Sequence, residues 1–269
     1  MKFYNKYGKE INLVDFDYLN KQLLVNNDFQ INQRGQSEYN LGYSVDMWFT
    51  KWGQPKLEVV DNGVIFSNTD TANNSVFMQL IKTDNPNRTF SSAFMIDKKR
   101  YEVTEVNPSS GAIIREFENF DFVISYNSDN QCIQVYIRID GNKRIHIEYV
   151  DLFEGDIAYP HVKKKYTTDL LECRLYYIKK WINVVISYKY TDKEVKVYGE
   201  IPEMIKAPTC NIIEANCADS SSNGNELKTI KNNWVKDYYG YEARLEFLRP
   251  IHQSCKSVHI LVELSCEET

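Results

Sequence analysis

The chain has 269 residues, enough for one large or two medium domains, and 43% of them are hydrophobic, enough for a substantial core. A formal net charge of −5 with no basic stripe argues against nucleic acid as a partner, because phosphate neutralisation needs clustered Lys and Arg. No stretch approaches the ~18 consecutive apolar residues of a membrane span, and Met1–Lys6 shows no apolar signal-peptide core, so the chain is expected to fold in a cytoplasm.

Residues 1–22 read as a leader. Ile11, Leu13, Val14, Phe16, Leu19 and Leu23 are spaced loosely like one face of a helix. Such a helix either docks on a neighbouring subunit or lies against its own domain.

From Leu24 onward, short apolar runs alternate with turn clusters. Strands are predicted at Lys56–Val60, Gly63–Ser67, Ser75–Ile81, Thr89–Ile96, Tyr101–Val106 and Phe120–Tyr126. Asp61-Asn62-Gly63, Asp84-Asn85-Pro86-Asn87 and Asn107-Pro108-Ser109-Ser110-Gly111 supply the turns between them. Many short strands at this spacing indicate a sandwich or jelly roll. The 19 Tyr and 13 Phe suit pleated, half-buried surfaces.

The clearest unit reads as a hairpin. Ile133, Val135, Ile137 and Ile139 alternate with polar residues, Asp140-Gly141-Asn142 turns the chain, and Ile145, Ile147 and Tyr149 continue the apolar face. Side chains two apart share a face. The opposite face therefore presents Tyr136, Arg138, Arg144, His146 and Glu148 together.

Residues 159–165 read as a linker, with Lys163-Lys164-Lys165 as a solvated run. A helix follows: Thr167, Thr168 and Asp169 can cap it, Glu172 completes a capping box, and Leu171, Leu175 and Ile178 make its apolar stripe, to about Lys180. Strands then return at Ile182–Tyr190 and Glu194–Tyr198, flanking Thr191-Asp192-Lys193, and at Cys210–Ile213, Tyr241–Phe247 and Val258–Leu264. Asp219–Asn225 is too polar to be a buried segment.

The six cysteines form no CxxC pair, so zinc is not indicated and free thiols are expected. The fold class is all-β: a leader (1–22), a jelly-roll β-sandwich (23–160), a connecting linker and α-helix (161–180) and a smaller C-terminal β-domain (181–269).

Two phrases carry a family resemblance. Leu24-Val25-Asn26-Asn27-Asp28-Phe29-Gln30-Ile31-Asn32-Gln33-Arg34-Gly35 is followed by Gly42-Tyr43-Ser44-Val45-Asp46-Met47-Trp48. Together they resemble the opening of a module common in bacteriophage and prophage tail proteins, similar to carbohydrate-binding jelly rolls. The segment Leu170-Leu171-Glu172-Cys173-Arg174-Leu175-Tyr176-Tyr177 and the Pro202–Thr209 entry resemble its later parts. Leu175 stands where the module usually carries arginine. The resemblance covers most of residues 24–213. It implies a virion component (tail fibre, baseplate appendage or receptor-binding protein), usually a homotrimer, contacting other virion proteins and a host-surface glycan. It implies no catalysis.

The residues suggest no catalytic constellation of their own. Asp46 and Asp151 stand out among the carboxylates, but both lie in phrases that read as structural. There is no G-x-S-x-G elbow, and the four His are scattered. No cofactor and no metal are expected. Sugar sites pair flat aromatic faces with polar side chains. The carbohydrate-binding candidates are thus Tyr136, Arg138, Arg144, His146 and Glu148, with Trp52 beside them. The competing and favoured reading of the same five residues is a solvated outer face or a subunit contact. Trp48 reads as a core anchor. Trp234, Tyr238 and Tyr239 are candidate receptor or partner contacts if Asn232–Tyr241 is a loop, whereas a strand there buries Trp234 and Tyr239. The alternatives to glycan attachment are a purely structural virion subunit and a glycan depolymerase.

Overall fold

The computed structural model describes residues 3–4, 10–11, 22–83, 85, 87–174, 177–191, 193–200, 209–217, 227–235, 240–247 and 257–266. Among these the protein is all-β, with one α-helix and several antiparallel sheets. It divides into two compact units, residues 1–169 and 170–269. Among the described residues, no helix is long and apolar enough to cross a membrane.

In the first unit, β1 (Phe3–Tyr4) pairs with β2 (Glu10–Ile11). Ile11 thus sits in a strand pair and not on a helix face, because local antiparallel pairing satisfies its backbone without the cost of nucleating a helix. Leu13, Val14, Phe16 and Leu19 lie outside the described residues.

Two six-stranded sheets follow. The first contains β3 (Glu38–Tyr39), β6 (Pro55–Val60), β7 (Gly63–Asn68), β9 (Phe90–Ile96), β10 (Lys99–Val106) and β14 (Arg144–Glu154), in the order β10-β9-β14-β7-β6-β3. The second contains β4 (Gly42–Tyr43), β5 (Phe49–Lys51), β8 (Ser75–Lys82), β11 (Ile113–Glu116), β12 (Asp121–Asn127) and β13 (Cys132–Ile139), in the order β11-β12-β13-β8-β5-β4. Leu57, Phe66, Phe94, Ile145 and Ile147 from the first sheet share one core with Phe77, Phe122, Ile133, Val135 and Ile137 from the second. Trp48 is fully buried in it, stacked on Phe77 at 4.8 Å.

The expected hairpin over residues 131–149 does not form. β13 pairs with β8 and β12 in the second sheet, while β14 pairs with β7 and β9 in the first. The turn at Asp140-Gly141-Asn142 instead carries the chain across the core. A Cβ on Gly141 would lie 2.3 Å from the Asp70 carbonyl oxygen, so the crossing is tightly packed. Period-two alternation reports that one face is buried but not which strand lies beside it. Facing strands of two sheets read the same as paired neighbours.

A bulge in β14 then changes the face. Register with β9 shifts between Ile147 and Tyr149. Ile145 and Ile147 belong to the inter-sheet core before it, and Val150 and Leu152 after it. Tyr149, Asp151 and Phe153 are buried too, yet Tyr149 and Phe153 are not part of that core. The extra residue of a bulge reverses side-chain parity. Tyr149 had been expected to continue the apolar face of Ile145 and Ile147, and the bulge removes it from that face.

The second unit contains β15 (Tyr177–Lys189), β16 (Glu194–Glu200), β17 (Thr209–Cys217), β18 (Leu227–Val235), β19 (Gly240–Phe247) and β20 (Ser257–Ser265), in the order β17-β20-β15-β16-β19-β18. The sheet curls until its edge strands β17 and β18 approach one another. Val195, Val197, Ala243, Leu245, Ile260 and Val262 pack together in the core of this unit. The hairpin around Thr191-Asp192-Lys193 forms as expected, with β15 on β16.

One expectation here is corrected, and one open alternative is decided. The helix α1 (Tyr166–Arg174) stops short of Lys180. Tyr177–Lys180 belong to β15, paired with Val262–Ser265 of β20. The β-forming Tyr and Ile at this point gain a long ladder that outweighs a weak helical stripe. Asn232–Val235 form the end of a strand and not a loop, with Trp234 opposite Glu242.

Candidate functional site

The segment 24–32 is held by its own polar side chains. Asn26 is fully buried with φ of +52°, a left-handed conformation that Asn tolerates. Its Nδ2 donates to the carbonyls of Ile31 at 2.8 Å and Asp46 at 3.1 Å, and its Oδ1 accepts from Ile31 N–H at 2.9 Å. Trp48 Nε1 donates to the Asn26 carbonyl at 3.0 Å. Asp46, fully buried, accepts from Gln33 Nε2 at 2.9 Å and pairs with Arg34 at 3.3 Å. Asp46 therefore braces the loop, as its reading as structural requires.

Asp151 organises a second network, on the face exposed by the bulge. The fully buried carboxylate accepts from Gln22 Nε2 and Asn27 Nδ2 at 2.5 Å each, and from His161 Nδ1 at 3.0 Å. The His161 ring stacks on Tyr149 with centroids 3.9 Å apart and planes 11° apart. Burial pushes the Tyr149 phenol above its usual pKa, partly offset by a hydrogen bond from Arg100. Residues 159–165 are consequently not a free linker. His161 is docked, Lys164 Nζ donates to the Leu24 carbonyl at 3.3 Å, and Lys163 Nζ lies 3.5 Å from Asp28 Oδ2.

Between these networks lies a cleft of about 490 Å³. Its polar walls come from Asp28, Gln30 and Asn32 of the opening loop, Asp61 and Asn62 of the β6–β7 turn, and Glu148 of the bulge. Tyr149, His161 and Lys163 close it, and Phe29, Val59, Val60 and Met95 add apolar surface. Gly63, also in the wall, has φ of +108°, and a Cβ there would lie 2.1 Å from the Ile147 carbonyl oxygen. Only glycine lets this turn approach the bulge.

No family model, curated protein or solved structure matches the chain. The site must therefore be read from its own chemistry. It offers carboxylate and amide groups beside an aromatic pair, the mixture that engages a hydroxylated ring.

The five residues expected on one face are split between the sheets. Tyr136 and Arg138 lie on β13; Arg138 Nε and Nη2 donate to Asp121 Oδ2 at 2.9 and 2.6 Å. Burial raises the Tyr136 pKa, while the Arg138 charge lowers it. Arg144, His146 and Glu148 lie on β14 in the other sheet. Arg144 sits 3.9 Å from Glu58, and the His146 ring contacts the Asn62 carbonyl at 2.7 Å. Only Glu148 of the five lines the cleft, where its Oε2 accepts from Asn62 Nδ2 at 2.8 Å. Trp52 is 53% exposed on a turn with φ of +62°, with Lys51 Nζ 5.8 Å above its ring, and is not in the cleft wall. Tyr238 and Tyr239 lie outside the described residues, as does the side chain of Trp234.

Sequence reasoning missed Asp28, Gln30, Asn32, Asp61, Asn62, Tyr149, His161 and Lys163 as one group. The density of Asn, Asp and Gln between Leu24 and Gln33 was the available signal. So many amides around Phe29 and Ile31 exceed what a plain turn needs.

Proposed function

We propose that this chain is a bacteriophage virion subunit, from a tail fibre, baseplate or appendage, that serves assembly and attachment to a host-surface glycan. In this reading it is made in the host cytoplasm and incorporated into the particle as a homotrimer. Its first unit is a jelly roll of the carbohydrate-binding kind.

The observation that supports the reading is the position of the phrase carrying the family resemblance. Asp28, Phe29, Gln30 and Asn32 of that phrase form one wall of the polar cleft. Glycan affinity at one such cleft is weak, and three copies on one particle multiply it; linked sites gain ~10²–10⁴ in avidity without new contacts.

The test is a glycan array probed with the full-length chain, with His161→Ala and Glu148→Ala beside it. The expected result is retention of a restricted glycan set that both variants lose. Solution mass is measured in parallel, with three chains expected. A silent array with a trimeric mass turns the reading to a purely structural virion subunit. Falling viscosity of a retained polysaccharide identifies a depolymerase. A clean monomer with no glycan retained overturns the proposal.

A further inference from the structure

The cleft is unbalanced in charge. Asp28, Asp61 and Glu148 line it, against Lys163 and a histidine already committed to Asp151. Asp28 is the unusual member. It is 8% exposed, and neither carboxylate oxygen has a hydrogen-bond partner. A buried carboxylate without hydrogen bonds is costly, and a nearby cation offsets that cost. Here the neighbouring cation is Lys163, at 3.5 Å from Oδ2, on a side chain that is itself 63% exposed. Such a side chain swings into water at little cost, because its ammonium stays hydrated at either end of the motion. Burial raises the pKa of the neighbouring Asp169 carboxyl; hydrogen bonds from Asn26 and Gln30 and the Lys164 charge lower it, and Asp28 adds a smaller upward push. With Asp28, Asp61 and Glu148 against Lys163, the cleft lining favours added positive charge.

We infer that the cleft selects hydroxylated ligands bearing an ammonium group, of the amino-sugar class, whose ammonium replaces that of Lys163 against Asp28. This rests on the reading of the cleft as a glycan site. A neutral sugar leaves Asp28 with Lys163. An acidic sugar meets three carboxylates and is rejected. Asn62, Gln30 and Asn32 serve the hydroxyl rim in either case, so Asp28 supplies the discrimination and the amides supply the shared affinity.

The test is calorimetric titration of the full-length chain, in mildly acidic buffer, with three oligosaccharides of equal length: glucosamine, N-acetylglucosamine and galacturonic acid. The expected order is glucosamine tightest, by roughly tenfold over its N-acetylated counterpart, the scale of one charge-assisted hydrogen bond, with no binding of the uronic acid. Asp28→Asn removes the tenfold preference and retains the N-acetylated ligand. Lys163→Met widens the preference, and it reports independently if Asp28→Asn fails to fold. Equal binding of the aminated and acetylated oligomers overturns the inference while leaving the glycan reading intact. A preference unchanged in both variants also overturns it, as attraction to the chain's overall negative charge. Binding of none of the three overturns the inference, and the glycan reading is then decided by the array.

Discussion

Removing the Asp151 carboxylate should unlock the bulged face of the first unit. In Asp151→Ala, the side chains of Gln22, Asn27 and His161 all lose their acceptor. Hydrogen bonds to a charged group contribute ~1.5–3 kcal/mol each, but three on one group are not additive. Breaking a buried charged network by deleting one partner costs about 3–5 kcal/mol. Against a typical total of ~5–15 kcal/mol, that is a large share. With a urea m-value near 2 kcal/mol/M, the midpoint falls by roughly 2 M. Asp151→Asn keeps the shape and one acceptor, so its cost is about 1–2 kcal/mol. Because the chain has two units, the assay is hydrogen exchange of β9 and β14 amides across a urea series, which isolates the first. A double-mutant cycle with His161→Ala should return a coupling of at least ~1 kcal/mol. An alanine variant within ~1 kcal/mol of the parent, or zero coupling to His161, would refute the reasoning.

Gly63→Ala should cost about 2–4 kcal/mol, since its Cβ would collide with the Ile147 carbonyl; a lowered midpoint with unchanged m checks it. The two neighbouring tryptophans should diverge. Trp48→Ala loses about 3–5 kcal/mol, while Trp52→Ala, half exposed, stays within ~0.5 kcal/mol in the same denaturation series. Asp169 gives a pH signature. Burial raises its folded carboxyl pKa, so the folded state holds the proton more tightly than the unfolded chain. That contribution is complete below the ordinary carboxyl pKa and is lost as pH rises through the raised value. Asp169→Asn should therefore flatten the stability profile on the alkaline side of the ordinary carboxyl pKa of about 3.9; a profile parallel to the parent's contradicts the assignment.

Residue order alone determined that this is a β protein. The runs at Lys56–Val60, Gly63–Ser67, Ser75–Ile81, Thr89–Ile96 and Phe120–Tyr126 became strands within a residue or so of their expected ends. These runs alternate strongly and are bounded by Asn, Asp, Gly and Pro, so local chemistry specifies them without tertiary help. The buried position of Trp48 and the bracing role of Asp46 were legible for the same reason. Pairing was not. β13 and β14 are adjacent in sequence and carry matching patterns, yet they face each other across the core. The candidate site suffered most, because it depends on the bulge at Glu148. One unpaired residue reverses parity, moves Tyr149 and Asp151 out of the expected pattern, and brings His161 and the 26–32 loop against them. Side-chain period is a local property, whereas partner choice and bulge placement minimise the energy of the whole assembled core, and only the folded chain contains that information.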